Sequence, residues 1–506
     1  MANITNFQEQ ISDNTEDSPG KEELFQWTKQ WYPMAVVEFL DSSRPHAMQL
    51  LGKNIVLWFD GAKWHCFEDF CPHRLAPLSE GRVESDGTLL CAYHAWRFDG
   101  KGNCVSIPQS KDELTEVKNR SNRKSCAVAY PTQECQGLLW VWAESGSQAG
   151  VESQMRTPQI IPELEENSDK VVKTSWNFRD LPYGWDFFME NVADPAHVPV
   201  SHHGIMGSRY KDAKYYDMIQ VREMSAQNGF SYEITPVTPS IEKAVHDFQP
   251  PCKMRIVSTY KDGGKFILAL YVTPTRPGWC RHIGCQVFVK NDALKKPPGL
   301  GFFALPLPNW LVHVLASLFL HQDMAFLHYQ QKNLAQRGRG KWLDAVYTPN
   351  PQDKMVIAFR QWLSLKAGGD IAWDSTCNSE LPVAEKDKQK LFDVWTTHTQ
   401  NCQVCQDALK NINRLTVLAY VAAVVCFGVG VVIDARTVAM NAMPLATIKD
   451  GIATVEQTSV SFLNMMPTTG FWLAILGAIL FTILGYLLQK LSRLFYVYEF
   501  EHARNN

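Results

Sequence analysis

Cysteine and histidine alternate in two short motifs: Cys71 and His73 form Cys-x-His, and Cys91 and His94 form Cys-x-x-His. Two thiolates and two imidazoles are the ligands of a Rieske [2Fe-2S] cluster, in which cysteines hold one iron and histidines the other. A Cys₂His₂ zinc site is the alternative, but finger spacing puts the two cysteines in one pair and the two histidines in the other. The alternating order therefore favours the cluster, with these four residues as its ligands.

Such a cluster is an electron relay. Neutral imidazoles in place of two thiolates raise the reduction potential, so the cluster can accept an electron from a ferredoxin or a similar donor and pass it on. No Gly-rich dinucleotide fingerprint follows a strand anywhere in the chain, so we expect the reductase to be a separate protein.

A second set of metal-type residues lies further along the chain. Asp194, His197 and His202 have the spacing Asp-x-x-His-x4-His, and Asp323 is a lone carboxylate in an apolar stretch. Two imidazoles and one carboxylate on one face of Fe(II) leave positions open for O₂. We predict His197, His202 and Asp323 as ligands of a mononuclear iron, and Asp194 and Asn191 as catalytic residues, with Asp194 accepting a hydrogen bond from a ligand ring. The alternatives are ordinary core histidines and an aspartate that caps a helix or pairs with a histidine.

Three more histidines are interpreted differently, and one cysteine pair is ambiguous. His203, His321 and His328 are expected to be core or pocket-lining residues. Cys402 and Cys405 form Cys-x-x-Cys, which can be a dithiol that thioredoxin reduces, or simply two cysteines near the start of a helix. For the dithiol interpretation, nearby His398, when protonated, could be the positive partner that lowers a thiol pKa.

The elements that position these residues predict an α+β protein with several parts. Short strand-like runs separated by Asp-Gly turns predict an all-β domain over 26–145, after a disordered tail at 1–25. A polar, Pro-containing linker is predicted for 146–172. Strand-like runs and a long apolar helix predict an α+β catalytic domain over 173–400.

The C-terminal region predicts a two-helix membrane anchor. Uncharged apolar runs at 415–433 and 470–488 are long enough to cross a bilayer, although buried core helices are the alternative. A Cys-x-x-Cys junction at 401–414 precedes them, and a C-terminal tail at 489–506 follows. Basic residues flank the outer ends of this hairpin, which by the positive-inside rule predicts that the soluble part faces the cytoplasm or its stromal equivalent. The formal charge of −3 gives no basic field, so no nucleic-acid partner is expected.

Motifs outside the ligands carry a family resemblance over nearly the whole chain: Trp31-Tyr32-Pro33, the run from Cys71 to Arg82, Ile107-Pro108-Gln109 and the run from Gly137 to Trp142. With them, the chain resembles the Rieske non-haem iron oxygenases, and within them the plant and cyanobacterial group that contains pheophorbide a oxygenase and the Rieske protein of the chloroplast inner-envelope translocon. Ala95 departs from the glycine that this group usually has there. The acidic N-terminus does not look like a transit peptide, which suggests a cyanobacterial thylakoid or plasma membrane protein.

The resemblance implies a Rieske fold joined to a helix-grip catalytic domain, followed by Cys-x-x-Cys and two membrane helices. It also implies a homotrimer, in which Asp194 bridges the cluster of one subunit and the iron of the next. The implied activity is oxygenation of a chlorophyll-derived tetrapyrrole such as pheophorbide a, with O₂ and a ferredoxin-type donor, and the membrane lipid would deliver the apolar substrate. Two alternatives stay open: a membrane redox sensor or assembly component with a Rieske centre, and an oxygenase of another apolar lipid. The complete mononuclear ligand set favours catalysis.

Overall fold

The computed structural model describes residues 24–166, 169–297, 307–337, 342–441, 445–449, 452–456 and 467–502. The chain divides into two compact units, Met1–Gln403 with Glu499–Asn506, and Val404–Tyr498. The predicted disordered tail at 1–25 lies outside the described residues apart from its last two. Of these, Phe25 is buried and its ring contacts the ring of Trp362. Phe25 is therefore packed into the first unit, although it lies at the end of the segment predicted as disordered.

The N-terminal part of the first unit is all β, as predicted, apart from one helix of eight residues. Strands β2, β3, β4 and β9 form one antiparallel sheet, β5 to β8 a second, and β1, β11 and β10 a third. The Asp-Gly turn at Asp60 joins β3 to β4 because the Asp60 carboxylate accepts hydrogen bonds from the main-chain N–H groups of Ala62 and Lys63. The elements are β1 (Trp31–Val36), β2 (His46–Leu50), β3 (Lys53–Phe59), β4 (Trp64–Glu68), β5 (Arg82–Val83), β6 (Leu89–Leu90), β7 (Arg97–Phe98), β8 (Cys104–Ser106), α1 (Glu113–Arg120), β9 (Ala129–Tyr130), β10 (Thr132–Cys135) and β11 (Leu138–Trp142).

The segment predicted as a linker contains regular structure. Helix α2 (Ser147–Gln154) lies within it, and strand β12 (Val171–Lys173) begins before its predicted end. The Trp31 indole N–H donates to the main-chain oxygens of Ser153 and Arg156, which attaches this segment to the β domain. The helix lacks an apolar periodicity, so no pattern in the sequence predicts it.

The catalytic part is α+β, as predicted. Strands β14 to β19 form an antiparallel meander, and β12 and β13 both pair with β19 at its far edge. The strands are β13 (Asn177–Leu181), β14 (Asp217–Ser225), β15 (Gly229–Thr235), β16 (Ile241–Gln249), β17 (Lys253–Tyr260), β18 (Lys265–Arg276) and β19 (Trp279–Val289). The helices are α3 (Trp185–Ala193), α4 (Val198–Ser201), α5 (Asn309–Gln336), α6 (Trp342–Ala345), α7 (Lys354–Leu365) and α8 (Lys388–Leu391). Arg360 of α7 is paired with Asp186 and Glu190 of α3, so these two helices are held together by a buried cation between two carboxylates.

Helix α5 is apolar overall, yet its buried residues include many polar ones. Its 28 residues place His313, Ser317 and His321 four residues apart, so their side chains share one face. All three are buried, and Asp323 and His328 are buried as well. Each of these polar groups needs a partner in the surrounding domain, because a buried polar group without one is costly. This helix therefore organises the catalytic part.

The described residues of the second unit form most of helix α9 (Gln403–Asn441), a hairpin of β20 (Leu445–Lys449) and β21 (Ile452–Glu456), and helix α10 (Thr469–Arg493). The predicted spans lie inside α9 and α10, but most of the predicted junction at 401–414 belongs to α9 itself. Among the described residues, α5, α9 and α10 are long and apolar enough to cross a membrane. The apolar window of α5 is 44% buried inside the protein, against 17% for α9 and 6% for α10, so α9 and α10 expose the larger apolar surfaces.

An ion pair of the catalytic sheet also contacts the β domain. The guanidinium of Arg281 makes two hydrogen bonds of 2.7 Å to the carboxylate of Asp180 and a third, of 2.9 Å, to the main-chain oxygen of Met34 in β1. The Arg281 side chain is 6% exposed. Removal of its partner would leave an uncompensated cation in the domain interface.

We predict that Asp180→Asn lowers the free energy of unfolding by about 3 kcal/mol, because a buried charge loses its counter-ion. Chemical denaturation of the detergent-solubilised protein, followed by tryptophan fluorescence, measures this. Asp292→Asn is the matched control, since Asp292 pairs with Lys170 at the surface. Equal stability of the two variants would mean that the interface does not depend on this pair.

Candidate metal centres

The two Cys/His motifs lie on two loops with the same backbone pattern. One loop follows β4 and the other connects β6 to β7. In the first, Leu75 N–H donates to the carbonyl of Cys71; in the second, Ala95 N–H donates to that of Cys91. Leu75 and Ala95 both have a left-handed backbone, with φ of 59° and 57°. The left-handed position explains why glycine suits residue 95, and alanine there costs about 1 kcal/mol without moving a ligand.

Burial divides the four predicted cluster ligands into two pairs. Cys71 and Cys91 are 2% and 1% exposed, in the core of the domain, whereas His73 is exposed and His94 is partly exposed. The centroids of the two imidazole rings are 4.5 Å apart, and the ring of His73 stacks on the indole of Trp96. Burial raises the pKa of the Cys71 thiol to about 12, so a thiolate here needs a cation beside it. These residues fit a [2Fe-2S] cluster with its histidine-bound iron toward the surface.

The second predicted set of ligands also converges. His197 lies just before α4 and His202 just after it, so this short helix turns both rings toward α5. His202 Nε2 is 3.1 Å from Asp323 Oδ2, and His197 Nε2 is 3.7 Å from the same oxygen. One ligand atom from each of the three residues lies within 4.8 Å of the others. The arrangement could hold one metal ion by two imidazoles and a carboxylate.

Hydrogen bonds fix the orientation of both rings. His197 Nδ1–H donates to the main-chain oxygen of Asp194, and His202 Nδ1–H donates to the side-chain oxygen of Gln322 at 2.8 Å. Phe319 stacks on the His202 ring with centroids 3.8 Å apart. Because each Nδ1 is a donor, each Nε2 carries the lone pair that a metal requires. Sequence reasoning missed Gln322, although its place beside the lone carboxylate of an apolar helix was a signal.

Asp194 accepts the hydrogen bond of the His197 ring with its main-chain oxygen and so orients that ring. The carboxylate oxygen Oδ2 is 3.7 Å from His197 Nδ1, beyond a hydrogen bond, and Oδ1 accepts from the N–H of Ala196. Asn191 accepts the N–H of Asp194 with its main-chain oxygen at the end of α3. Burial by itself would lower the pKa of His197. The neighbouring Asp194 and the charge of Asp323 outweigh burial, so the pKa of His197 is raised. The surroundings are therefore anionic and favour a cation.

The remaining histidines of this region have other partners, as expected. His321 Nε2 accepts from the buried guanidinium of Arg179. His328 donates to the main-chain oxygen of Pro182 and accepts from the N–H of Glu385. These bonds occupy both ring nitrogens of His328.

Two family models match parts of the chain, and many known proteins are similar to it in sequence. Residues 30–121 match the Rieske [2Fe-2S] domain, and residues 248–341 match the family described as pheophorbide a oxygenase. Pheophorbide a oxygenase of Arabidopsis thaliana is 30% identical over 436 residues, which are 80% of this chain and 78% of that protein. The chain belongs to the Rieske non-haem iron oxygenases of the pheophorbide a oxygenase group. Its cofactors are accordingly a Rieske [2Fe-2S] cluster and a mononuclear iron.

Other relatives of this oxygenase differ in what they act on. Flavonoid 8-hydroxylase 2 of Ocimum basilicum is 32% identical over 424 residues, covering 78% of this chain and 76% of that protein. Among solved structures, dicamba monooxygenase covers 68% of this chain and 99% of its own, with a TM-score of 0.52 at 17% identity. That likeness shows a shared fold.

We predict that Gln322→Leu weakens binding of the mononuclear iron about 10- to 100-fold, because His202 loses the partner that orients its ring. Iron per chain after dialysis against a weak chelator measures the loss, and the electron paramagnetic resonance of the reduced cluster shows that the Rieske domain is intact. Gln331→Leu is the matched control: it makes the same change on α5, where Gln331 accepts from the N–H of Gly184. Full iron retention by Gln322→Leu would contradict the assignment.

Proposed function

We propose that this chain is a membrane-anchored oxygenase that uses O₂ and electrons from a ferredoxin-type donor to oxygenate a chlorophyll-derived tetrapyrrole of the pheophorbide a or chlorophyllide type. The observation that carries the proposal is the convergence of His197, His202 and Asp323 on one point, in a chain that also has a Rieske domain. When bound, the cluster supplies electrons one at a time and the iron provides the site at which O₂ is activated.

The chain's own residues prepare this chemistry. His197, His202 and Asp323 would hold the metal from one side, which leaves its other side for O₂ and substrate. Gln322 and the main chain of Asp194 keep both imidazoles in the ligating tautomer. Phe319 covers one face of His202 and excludes water from that side.

Surface residues near His202 support a large apolar substrate. The segment from 200 to 215, which begins within α4, exposes several large hydrophobic side chains: Val200, Ile205, Met206, Tyr210 and Tyr215. Helix α5, which carries Asp323, contains an apolar window of 18 residues. A flat, mostly apolar macrocycle could bind against such a surface, and a lipid phase would hold it at high local concentration.

A flavonoid is the second candidate substrate, because the basil relative is a flavonoid hydroxylase of similar identity and coverage. A flavonoid is smaller than a tetrapyrrole and would leave much of the exposed segment uncovered. A redox sensor or assembly component stays a weaker alternative, since such a protein could dispense with His197, His202 and Asp323.

The finer features of the proposal follow from the resemblance. We propose a homotrimer, in which the carboxylate of Asp194, 27% exposed, faces the cluster of the neighbouring subunit and assists electron delivery. Helices α9 and α10 would be the two membrane spans, with the soluble part on the cytoplasmic or stromal-equivalent side. The relatives named above are plant proteins, and a cyanobacterial origin with a thylakoid or plasma membrane location stays a prediction.

Single turnover with a substrate panel tests the function. The full-length protein in detergent is reduced with ferredoxin and its reductase, mixed with pheophorbide a, chlorophyllide a, a flavone or a sterol, and exposed to ¹⁸O₂. We expect binding and ¹⁸O incorporation with a tetrapyrrole. Incorporation into the flavone alone would select the flavonoid, and no incorporation with any of the four would contradict the tetrapyrrole oxygenase.

We predict that Asp323→Ala abolishes ¹⁸O incorporation and loses the mononuclear iron, because its carboxylate is the only anionic ligand proposed. The Rieske spectrum should persist, since the predicted cluster ligands lie in a separate domain. Asp262→Ala, at an exposed turn, is the control and should keep both activity and iron. If Asp323→Ala kept full iron, a different carboxylate would be the third ligand.

A further inference from the structure

A further buried group of residues that could bind a metal lies in the first unit, apart from the two iron centres. It consists of His313 of α5 with His398 and Cys402 from the segment that precedes α9. The three residues are 1%, 2% and 0% exposed, and one donor atom from each lies within 4.8 Å of the others. Neither the Rieske motif nor the mononuclear set uses any of them.

The hydrogen bonds of the two histidines point their lone pairs inward. His313 Nε2–H donates to the main-chain oxygen of Trp176 at 2.9 Å, and His398 Nδ1–H donates to that of Phe178 at 2.7 Å. A carbonyl oxygen only accepts, so these ring nitrogens are the protonated ones. The other nitrogen of each ring then carries a lone pair, as in metal-ligating histidines whose second nitrogen bonds a carbonyl.

The spacing fits one small ion. His313 Nδ1 is 3.5 Å from Cys402 Sγ. Two ligands of a tetrahedral zinc ion, with bonds of about 2.0 Å to nitrogen and 2.3 Å to sulfur, are separated by about 3.5 Å. Burial lowers the pKa of His398. The uncharged imidazole is the form that binds a zinc ion.

We propose that His313, His398 and Cys402 bind a structural zinc ion, with Cys405 as the fourth ligand. Cys405 is assigned from its sequence position, because Cys-x-x-Cys is the spacing by which one short segment gives zinc two thiolates. Two cysteines and two histidines fill all four positions of a tetrahedral ion, so the site is closed and not catalytic. Binding releases the thiol protons, and the zinc charge stabilises thiolates that burial would otherwise disfavour.

The proposed zinc has a defined mechanical role. It would join helix α5 to the segment that ends the catalytic domain. The two histidines also hydrogen-bond to the main chain at the start of β13, next to Trp176. Asp323 lies further along α5, so the zinc would help to set the position of the helix that carries the third iron ligand. Thioredoxin would have no disulfide to reduce while zinc is bound.

Metal analysis of the full-length protein tests the proposal. We expect about one zinc per chain, which is lost in Cys402→Ser and in His398→Ala and reduced in Cys405→Ser. Cys252→Ala is the matched control, since Cys252 is equally buried in the same domain. His202→Ala separates the two metal sites and should retain its zinc.

A spectroscopic measurement on the unaltered protein covers the case in which a variant fails to fold. Protein made in cobalt-enriched medium should show the visible bands of tetrahedral Co²⁺ with thiolate ligands, and zinc X-ray absorption should show sulfur at about 2.3 Å and nitrogen at about 2.0 Å. A wild-type protein with no zinc and a Cys402–Cys405 disulfide would overturn the proposal in favour of a redox dithiol. Zinc that disappears in His202→Ala but persists in Cys402→Ser would overturn it as well.

Discussion

The catalytic domain depends on one costly placement: the carboxylate of Asp323 is buried in an apolar helix, opposite two imidazoles. A buried carboxylate is tolerated only where cations or hydrogen bonds compensate the loss of water. Here His197 and His202 face it with their Nε2 atoms, and both rings are oriented by acceptors on their far side. A metal cation at this point satisfies the carboxylate and both lone pairs together. Histidines that served only as core residues would not need this shared direction.

Helix α5 carries this constraint through the domain. Its buried polar residues contact β13 and the residues on either side of that strand: His313 reaches the main chain of Trp176, Ser317 and His321 accept from Arg179, and His328 reaches Pro182. Such contacts are directional, so together they set both the rotation and the depth of the helix. The proposed zinc at His313 would add a covalent constraint at one end. The position of Asp323 is therefore determined over the length of the helix and not only at the iron.

Much of this architecture could be predicted from the sequence because ligand chemistry has strict spacing. The alternating order of Cys71, His73, Cys91 and His94 predicts the cluster ligands, and the isolation of Asp323 in an apolar run predicts the third iron ligand. Gln322 was missed, because hydrogen bonding across two elements leaves no local pattern. The oxygen of Asp194 that accepts from the His197 ring could not be predicted either, because a sequence does not show whether a carboxylate or a main-chain oxygen faces the ring.

Regular structure was harder to predict where packing, not periodicity, produces it. Helix α2 inside the predicted linker is attached by Trp31, a residue distant in sequence. Helix α9 begins at Gln403, before its apolar run, so the sequence predicted a separate junction where the structure has one helix. The group formed by His313, His398 and Cys402 joins residues distant in sequence, and only the Cys-x-x-Cys half of it was visible as a motif.

The proposed chemistry requires two different iron centres in one chain. Mössbauer spectroscopy of the ⁵⁷Fe-enriched full-length protein, as isolated without oxygen, tests this requirement because it counts each kind of iron separately. We expect roughly two thirds of the iron in an oxidised [2Fe-2S] cluster and roughly one third as high-spin Fe(II) in a site of nitrogen and oxygen ligands. If all the iron in fully loaded protein belonged to the cluster, His197, His202 and Asp323 would not be an iron site, and the proposed oxygenase chemistry would be wrong.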